Sequence, residues 1–173
     1  MQFGTPAICG STGWVEKIEE IHKLCFQNNS AFLYASNFSV GVNIFFEINK
    51  RLASLMAVHD EYEIQLTEIH HTQKKDAPSG TAITLAGQIL DVNSRKSKWV
   101  NQISDKADEL EIISKRVDPA PGTHKVKYSS AIDDIEIIHT AHTRKGFALG
   151  AVLAAEFIAG KKGIYSMKDV LGL

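Results

Sequence analysis

The sequence predicts an α/β (α+β) chain in which a short parallel strand–helix–strand unit precedes a larger mixed sheet with helices. Three observations lead there. First, an apolar run at residues 7–9, a helical pattern at 15–27 and a second apolar run at 31–35 follow one another, the order of a right-handed parallel unit. Second, residues 61–68, 110–117, 123–130 and 135–142 read as half-buried strands, enough for a mixed or antiparallel sheet of roughly four. Third, residues 40–59 place Val42, Ile44, Phe45, Ile48, Leu52, Leu55 and Met56 at helical spacing between the two regions.

Composition excludes several classes. At 173 residues the chain can hold one sizeable core, or one domain with part of another. Its 44% hydrophobic and 23% charged residues suit a soluble globular protein. A net charge of −1 gives no general attraction to nucleic acid or to a membrane surface. Apolar runs are too short to cross a bilayer, and no signal-peptide pattern opens the chain. Cys9 and Cys25 are expected as free thiols in a reducing cytoplasm.

Taken in order, the first strand ends at the turn Gly10-Ser11-Thr12-Gly13-Trp14. The helix after it should bury Ile18, Ile21, Leu24 and Cys25. The second strand ends at Ser36-Asn37-Phe38. Ligands of parallel sheets collect at such carboxyl ends, although a glycine turn by itself is ordinary loop geometry. No G-x-G-x-x-G pyrophosphate turn precedes Gly10.

The long helix and the strand at 61–68 lead into the densest polar stretch, EIHHTQKKDAPSGTA at residues 68–82. Its loop should run from the strand end to a helix start at Ser79, with Ser79 or Thr81 as cap. Gly80 lets backbone approach a ligand, and the free N–H groups of the helix start attract an anion. Lys74 adds a positive charge. His70 and His71 should point to opposite sides, as strand neighbours do, and histidine is the usual proton carrier near neutral pH. No third ligand sits at a recognisable zinc spacing, so no metal is expected. Residues 91–106 read as a solvated basic loop, 119–122 as a turn, and the alanine-rich stretch to about residue 160 as a helix.

The ordered motif of residues 68–82 resembles the signature of the dihydrodipicolinate reductase family. GSTGW at 10–14, ASNFS at 35–39 and HTAHTRKGFALGA at 139–151 resemble further family stretches. The resemblance implies a C-terminal remnant of a Rossmann domain plus a mixed-sheet substrate-binding and oligomerisation domain. Expected bounds are 1–38 for the partial dinucleotide-binding segment, 39–150 for the second domain, and 151–173 for a C-terminal helix and tail packing back on the first. The family pattern implies that the chain begins inside the Rossmann half and is complete at its C-terminus.

The resemblance also implies chemistry. A reduced nicotinamide, NADPH or NADH, would reduce a cyclic dicarboxylate in a cytoplasmic homotetramer built through the sheet. His70 would serve as acid/base and Lys74 as its partner. His71, Ser79, Gly80 and Thr81 would hold a carboxylate of the substrate. Gly10, Ser11, Thr12, Ala35, Ser36, Asn37 and Phe38 would lie beside the nicotinamide. Arg144 would hold a carboxylate or form a structural hinge, and Lys75 would face solvent. The alternative reading is a non-catalytic substrate-binding and oligomerisation domain.

Overall fold

The computed structural model describes residues 4–11 and 13–173. It contains eight strands and five α-helices among the described residues, in two sheets, as the predicted fold class requires. The chain forms two compact units, Met1–Ile44 with Arg144–Leu173, and Phe45–Thr143.

The first unit is a three-stranded parallel sheet of β1 (Ala7–Cys9), β2 (Ala31–Tyr34) and β8 (Gly163–Tyr165), with β2 in the middle. A 3-10 turn at Val15–Lys17 leads into α1 (Ile18–Gln27), which buries Cys25. Leu24 stays exposed, contrary to the expected face, because the turn before α1 sets the helix phase around Ile18, Ile21, His22 and Cys25. After the second unit the chain returns through α4 (Lys145–Ile158), β8 and α5 (Met167–Leu171). Helix α4 starts at Lys145, before the alanine-rich stretch. The core joins Ala31, Leu33, Ala35 and Phe38 to Ala154, Ile158 and Met167. Gly150 is required there: a Cβ at that position would lie 1.8 Å from the Phe38 carbonyl oxygen.

The second unit is a five-stranded mixed sheet, ordered β4 (Lys98–Val100), β5 (Glu109–Arg116), β3 (Glu63–His70), β6 (Gly122–Ser129) and β7 (Asp134–Ala141). Strand β3 is central, parallel to β5 and antiparallel to β6. It runs to His70, two residues past the predicted end, because pairing of His70 with Arg116 continues the ladder. Alternation along β3 buries Ile64, Leu66, Glu68 and His70. Helix α3 (Gly80–Leu90) covers this face with Ala82, Leu85, Ala86 and Ile89. Helix α2 (Val40–Met56) is tied to α3 where Asn49 Nδ2 donates to the Leu85 carbonyl (3.2 Å) and to Gln88 Oε1 (2.9 Å). Helix α3 thus packs on the apolar face, with α2 fastened to it.

The stretch 91–106 is also more ordered than its composition predicts. It supplies the fifth strand, β4, and it buries Lys96, whose ammonium donates to Glu63 Oε2 (3.1 Å) and the Ala107 carbonyl (2.8 Å). A lysine is buried only when its donors are matched in this way. The opposite face of the sheet carries cross-strand ion pairs, Lys125–Glu136 and Lys127–Asp134, with Ile138 exposed among them.

Candidate active site

The site gathers at the carboxyl end of β3, where three strands and one helix start meet around Glu68. Strand pairing sets Glu68 opposite Ser114 on β5 and His124 on β6. All three side chains lie on the helix-covered face, so they converge under the start of α3.

Glu68 is fully buried, and its carboxylate is well supplied with donors. Ser79 N–H donates to Oε2 at 3.0 Å and the Ser114 hydroxyl to Oε1 at 2.7 Å. The Arg116 guanidinium reaches Oε1 at 3.3 and 3.4 Å and also donates to the Asp76 carbonyl at 2.6 Å. Burial pushes the Glu68 carboxyl up, but the hydrogen bonds from Ser79 and Ser114, with His70 nearby, outweigh it and hold the group below its usual range.

The two buried imidazoles sit edge to face, with centroids 5.1 Å apart. His70 Nδ1 lies 3.5 Å from Glu68 Oε2, and His124 Nε2 lies 3.8 Å from the same oxygen. The first distance is too long and poorly aligned for a formed hydrogen bond, so the buried Nδ1 has no partner. His124 Nε2 meets the Ser79 hydroxyl at 3.0 Å. Burial, with His70 beside it, lowers the His124 pKa to about 4. Burial also lowers that of His70, against the pull of Glu68. Ligand atoms of Glu68, His70 and His124 fall within 4.8 Å of one another, a metal-ligand grouping that only strand pairing could assemble. The positive partner of this carboxylate, however, is Arg116.

Ser79 is the N-cap of α3, its hydroxyl accepting from Ala82 N–H at 3.2 Å. Ser79 and not Thr81 therefore starts the helix. Gly80 is exposed and Thr81 half-buried at the same helix start. His71 follows the strand end and is half-buried. Lys74 is held by Asp76, with its ammonium 2.8 Å from both carboxylate oxygens, whereas Lys75 is exposed. Thr72 donates from its backbone and hydroxyl to Asp118 (3.0 and 2.6 Å), tying the His71–Lys74 turn to the segment after β5.

In the first unit, Gly10 and Ser11 leave β1 where Ala35, Ser36, Asn37 and Phe38 leave β2, because the two strands are parallel and in register to Cys9 and Tyr34. Gly10, Ser11 and Ser36 are exposed. Asn37 Oδ1 accepts from Ser39 N–H (2.9 Å). Phe38 is buried, and a Cβ at position 10 would come within 3.0 Å of its ring. Thr12 lies outside the described residues. Arg144 is exposed at the N-cap of α4.

Sequence reasoning assigned no role to Glu68, Ser114, Arg116 or His124. The available signal was alternation: Glu68 and His124 are polar side chains at inward positions of their strands.

The chain thus combines a three-stranded parallel sheet in one unit with a mixed sheet in the other, and the second carries a buried carboxylate, two buried histidines and a capped helix start. A family model, "Dihydrodipicolinate reductase, C-terminus", matches residues 41–171. The 4-hydroxy-tetrahydrodipicolinate reductase of Christiangramia forsetii is 53% identical over 166 residues, covering 96% of this chain and 69% of the relative. That of Methanosarcina mazei is 40% identical over 174 residues, covering 98% and 65%. The fold is also that of a solved dipicolinate-bound dihydrodipicolinate reductase from Paenisporosarcina sp. TG-14, with a TM-score of 0.68 at 23% identity, over 93% of this chain and 62% of that one. The chain belongs to the dihydrodipicolinate reductase family. It spans about two thirds of the length of the curated relatives it matches. No helix among the described residues is long and apolar enough to cross a membrane.

Proposed function

We propose that the chain carries the substrate site of a cytoplasmic 4-hydroxy-tetrahydrodipicolinate reductase. The reaction is NAD(P)H-dependent reduction of 4-hydroxy-tetrahydrodipicolinate to tetrahydrodipicolinate in diaminopimelate and lysine biosynthesis. The observation that carries this reading is the meeting of His70 with the capped start of α3 on one sheet face, the helix start bonded to Glu68 and His70 Nδ1 3.5 Å from the same carboxylate. A relative's dipicolinate, a flat ring with two carboxylates, is the kind of ligand such a pocket suits.

Reduction of the cyclic imine needs loss of water, hydride addition at C4 and a proton at C3. The reduced nicotinamide supplies the hydride when bound. His70 delivers the proton, and Lys74 leaves Asp76 to pair with the substrate and support that delivery. His71, Ser79, Gly80 and Thr81 hold one carboxylate at the helix start, where backbone dipoles favour negative charge. Gly10, Ser11, Thr12, Ala35, Ser36, Asn37 and Phe38 hold the nicotinamide end of the cofactor. Exposed Gly10, Ser11 and Ser36, on neighbouring strand ends, leave room for a flat amide-bearing ring. The partner is a further copy of the chain, in a homotetramer joined through the open sheet face. That face's mixture of ion pairs and exposed Ile138 supports the assignment.

A second reading is favoured by one observation. Glu68, His70, Ser79 and His124 all lie in the mixed-sheet unit, so that unit carries them without the first. On that reading this polypeptide is a non-catalytic substrate-binding and oligomerisation domain. Calorimetric titration with pyridine-2,6-dicarboxylate, with and without NADPH, tests both. Binding lost in Lys74→Ala is the expected result. Strengthening by NADPH favours the reductase, and binding indifferent to NADPH favours the second reading. No binding in either condition overturns the site.

A further inference from the structure

We infer that Glu68 is a positioning residue: it accepts a hydrogen bond from Nδ1–H of His70, keeps that proton on Nδ1, and so reserves Nε2 as the atom that exchanges a proton with the ligand. The inference rests on the substrate-site reading above.

Geometry supports each half. His70 Nδ1 is buried without a hydrogen-bond partner, and a buried unpaired polar atom is costly. Glu68 Oε2, 3.5 Å away and two residues back on the same strand face, is an acceptor that a small ring rotation brings into range. Catalytic hydrogen bonds are commonly long before a ligand tightens them. The carboxylate itself cannot swing away, since Ser79 N–H, Ser114 and Arg116 fix both of its oxygens.

The other edge of the ring is kept clear. Nε2 and Cδ2 of His70 face Gly122 on β6, where an added methyl would come within 3.2 and 3.3 Å. Glycine at that position leaves the Nε2 edge uncrowded. The proton balance closes: the imidazolium gives its Nε2 proton to the ring carbon and is left neutral, with the remaining proton on Nδ1 facing Glu68. Carboxylate–histidine pairing of this kind fixes tautomer and orientation in other acid–base sites. Because Ser79 N–H shares Oε2 with His70, the same carboxylate ties the proton donor to the helix start that holds the anion.

Charged and titratable groups face His70 from every neighbouring element. They are Glu68 on β3, Lys74 and Asp76 in the following loop, Arg116 on β5 and His124 on β6. Only Glu68 and Asp76 favour the imidazolium, and Glu68 is the larger influence.

Nitrogen-15 NMR of the whole chain, labelled in histidine, reads the tautomer without any ligand. The expected result is neutral His70 protonated on Nδ1 in the wild type. In Glu68→Gln the proton shifts toward Nε2 and the His70 titration midpoint moves down, while the more exposed His59 does not move. Pyridine-2,6-dicarboxylate binding should weaken roughly tenfold in the same variant, the effect of one charge-assisted hydrogen bond. Wild-type His70 protonated on Nε2, or an unmoved midpoint in folded Glu68→Gln, overturns the assignment. If Glu68→Gln does not fold, the wild-type tautomer still decides. Failure of the probe to bind the wild type counts against the substrate site, whereas the tautomer tests Glu68 independently.

Discussion

The two units solve the burial problem in opposite ways. The parallel-sheet unit has an apolar core, and Ser30 is its one buried polar residue among the described residues. The mixed-sheet unit buries Glu68, His70, Ser79, Lys96, Glu109 and His124, in addition to Asn49 and Asn93. Buried charges are costly unless paired, so the second unit needs a specific partner for each one. What the contrast teaches is where the acid–base chemistry can sit. A proton donor requires an environment that shifts its pKa and fixes its orientation, and the second unit provides one around Glu68, His70 and His124. The first unit offers backbone turns at neighbouring strand ends.

The largest expected break in this contrast comes from Glu68→Ala. It leaves Arg116 without its carboxylate and Ser79 N–H without its acceptor, and should destabilise the second unit by about 3–5 kcal/mol. Denaturant unfolding with a probe in each unit checks this; equal loss in the first unit would erase the distinction drawn here.

Acid should act next. Burial holds the His124 pKa at about 4, below its unfolded value near 6.5, so the unfolded chain binds more protons as pH falls. The stabilisation is complete above the unfolded value and is lost as pH drops toward 4, to a total of about 3 kcal/mol. His70 and His139, also lowered by burial, act in the same direction. Unfolding midpoints measured from pH 7 to pH 4 should fall in the wild type and fall less steeply in His124→Gln.

Gly150→Ala tests the first unit. Alanine is the better helix former by about 1 kcal/mol. The clash of its methyl with the Phe38 carbonyl should outweigh that gain, giving a net loss of about 1–3 kcal/mol. Thermal melts should register it, and the His70 and His124 resonances should stay in place. Ser79→Ala removes the N-cap of α3 and should cost about 1 kcal/mol by chemical denaturation. The smallest effect is expected at Lys75, exposed beside Lys74. Lys75→Ala should change stability by less than about 0.5 kcal/mol and leave dicarboxylate affinity unchanged in calorimetry, whereas Lys74→Ala abolishes it.

Much of this molecule could be read from its amino acids because local rules govern those parts. Apolar periodicity set the strand–helix–strand start, the long helix and the four longer strands of the mixed sheet. Proline, serine and glycine at residues 78–80 marked the start of α3. The order of residues in the His70–Thr81 stretch indicated the family. What escaped was everything that depends on pairing between distant strands. Strand β3 continues to His70 because β5 and β6 flank it, and a single alternating run does not reveal where its partners end. The three-residue strand β4 is too short to show a period, and Lys96 reads as solvated surface until Glu63 and the Ala107 carbonyl are brought against it. Glu68, Ser114, Arg116 and His124 span 57 residues of chain, and no spacing rule joins them. Register does: a shift of one residue would turn every member to the opposite face of the sheet. The sequence by itself determined which segments form elements and which family stretch they carry. Only the tertiary structure decided that a buried carboxylate would stand at the centre of the site, because its hydrogen-bond donors come from a neighbouring strand and a helix start that meet it only in the folded chain.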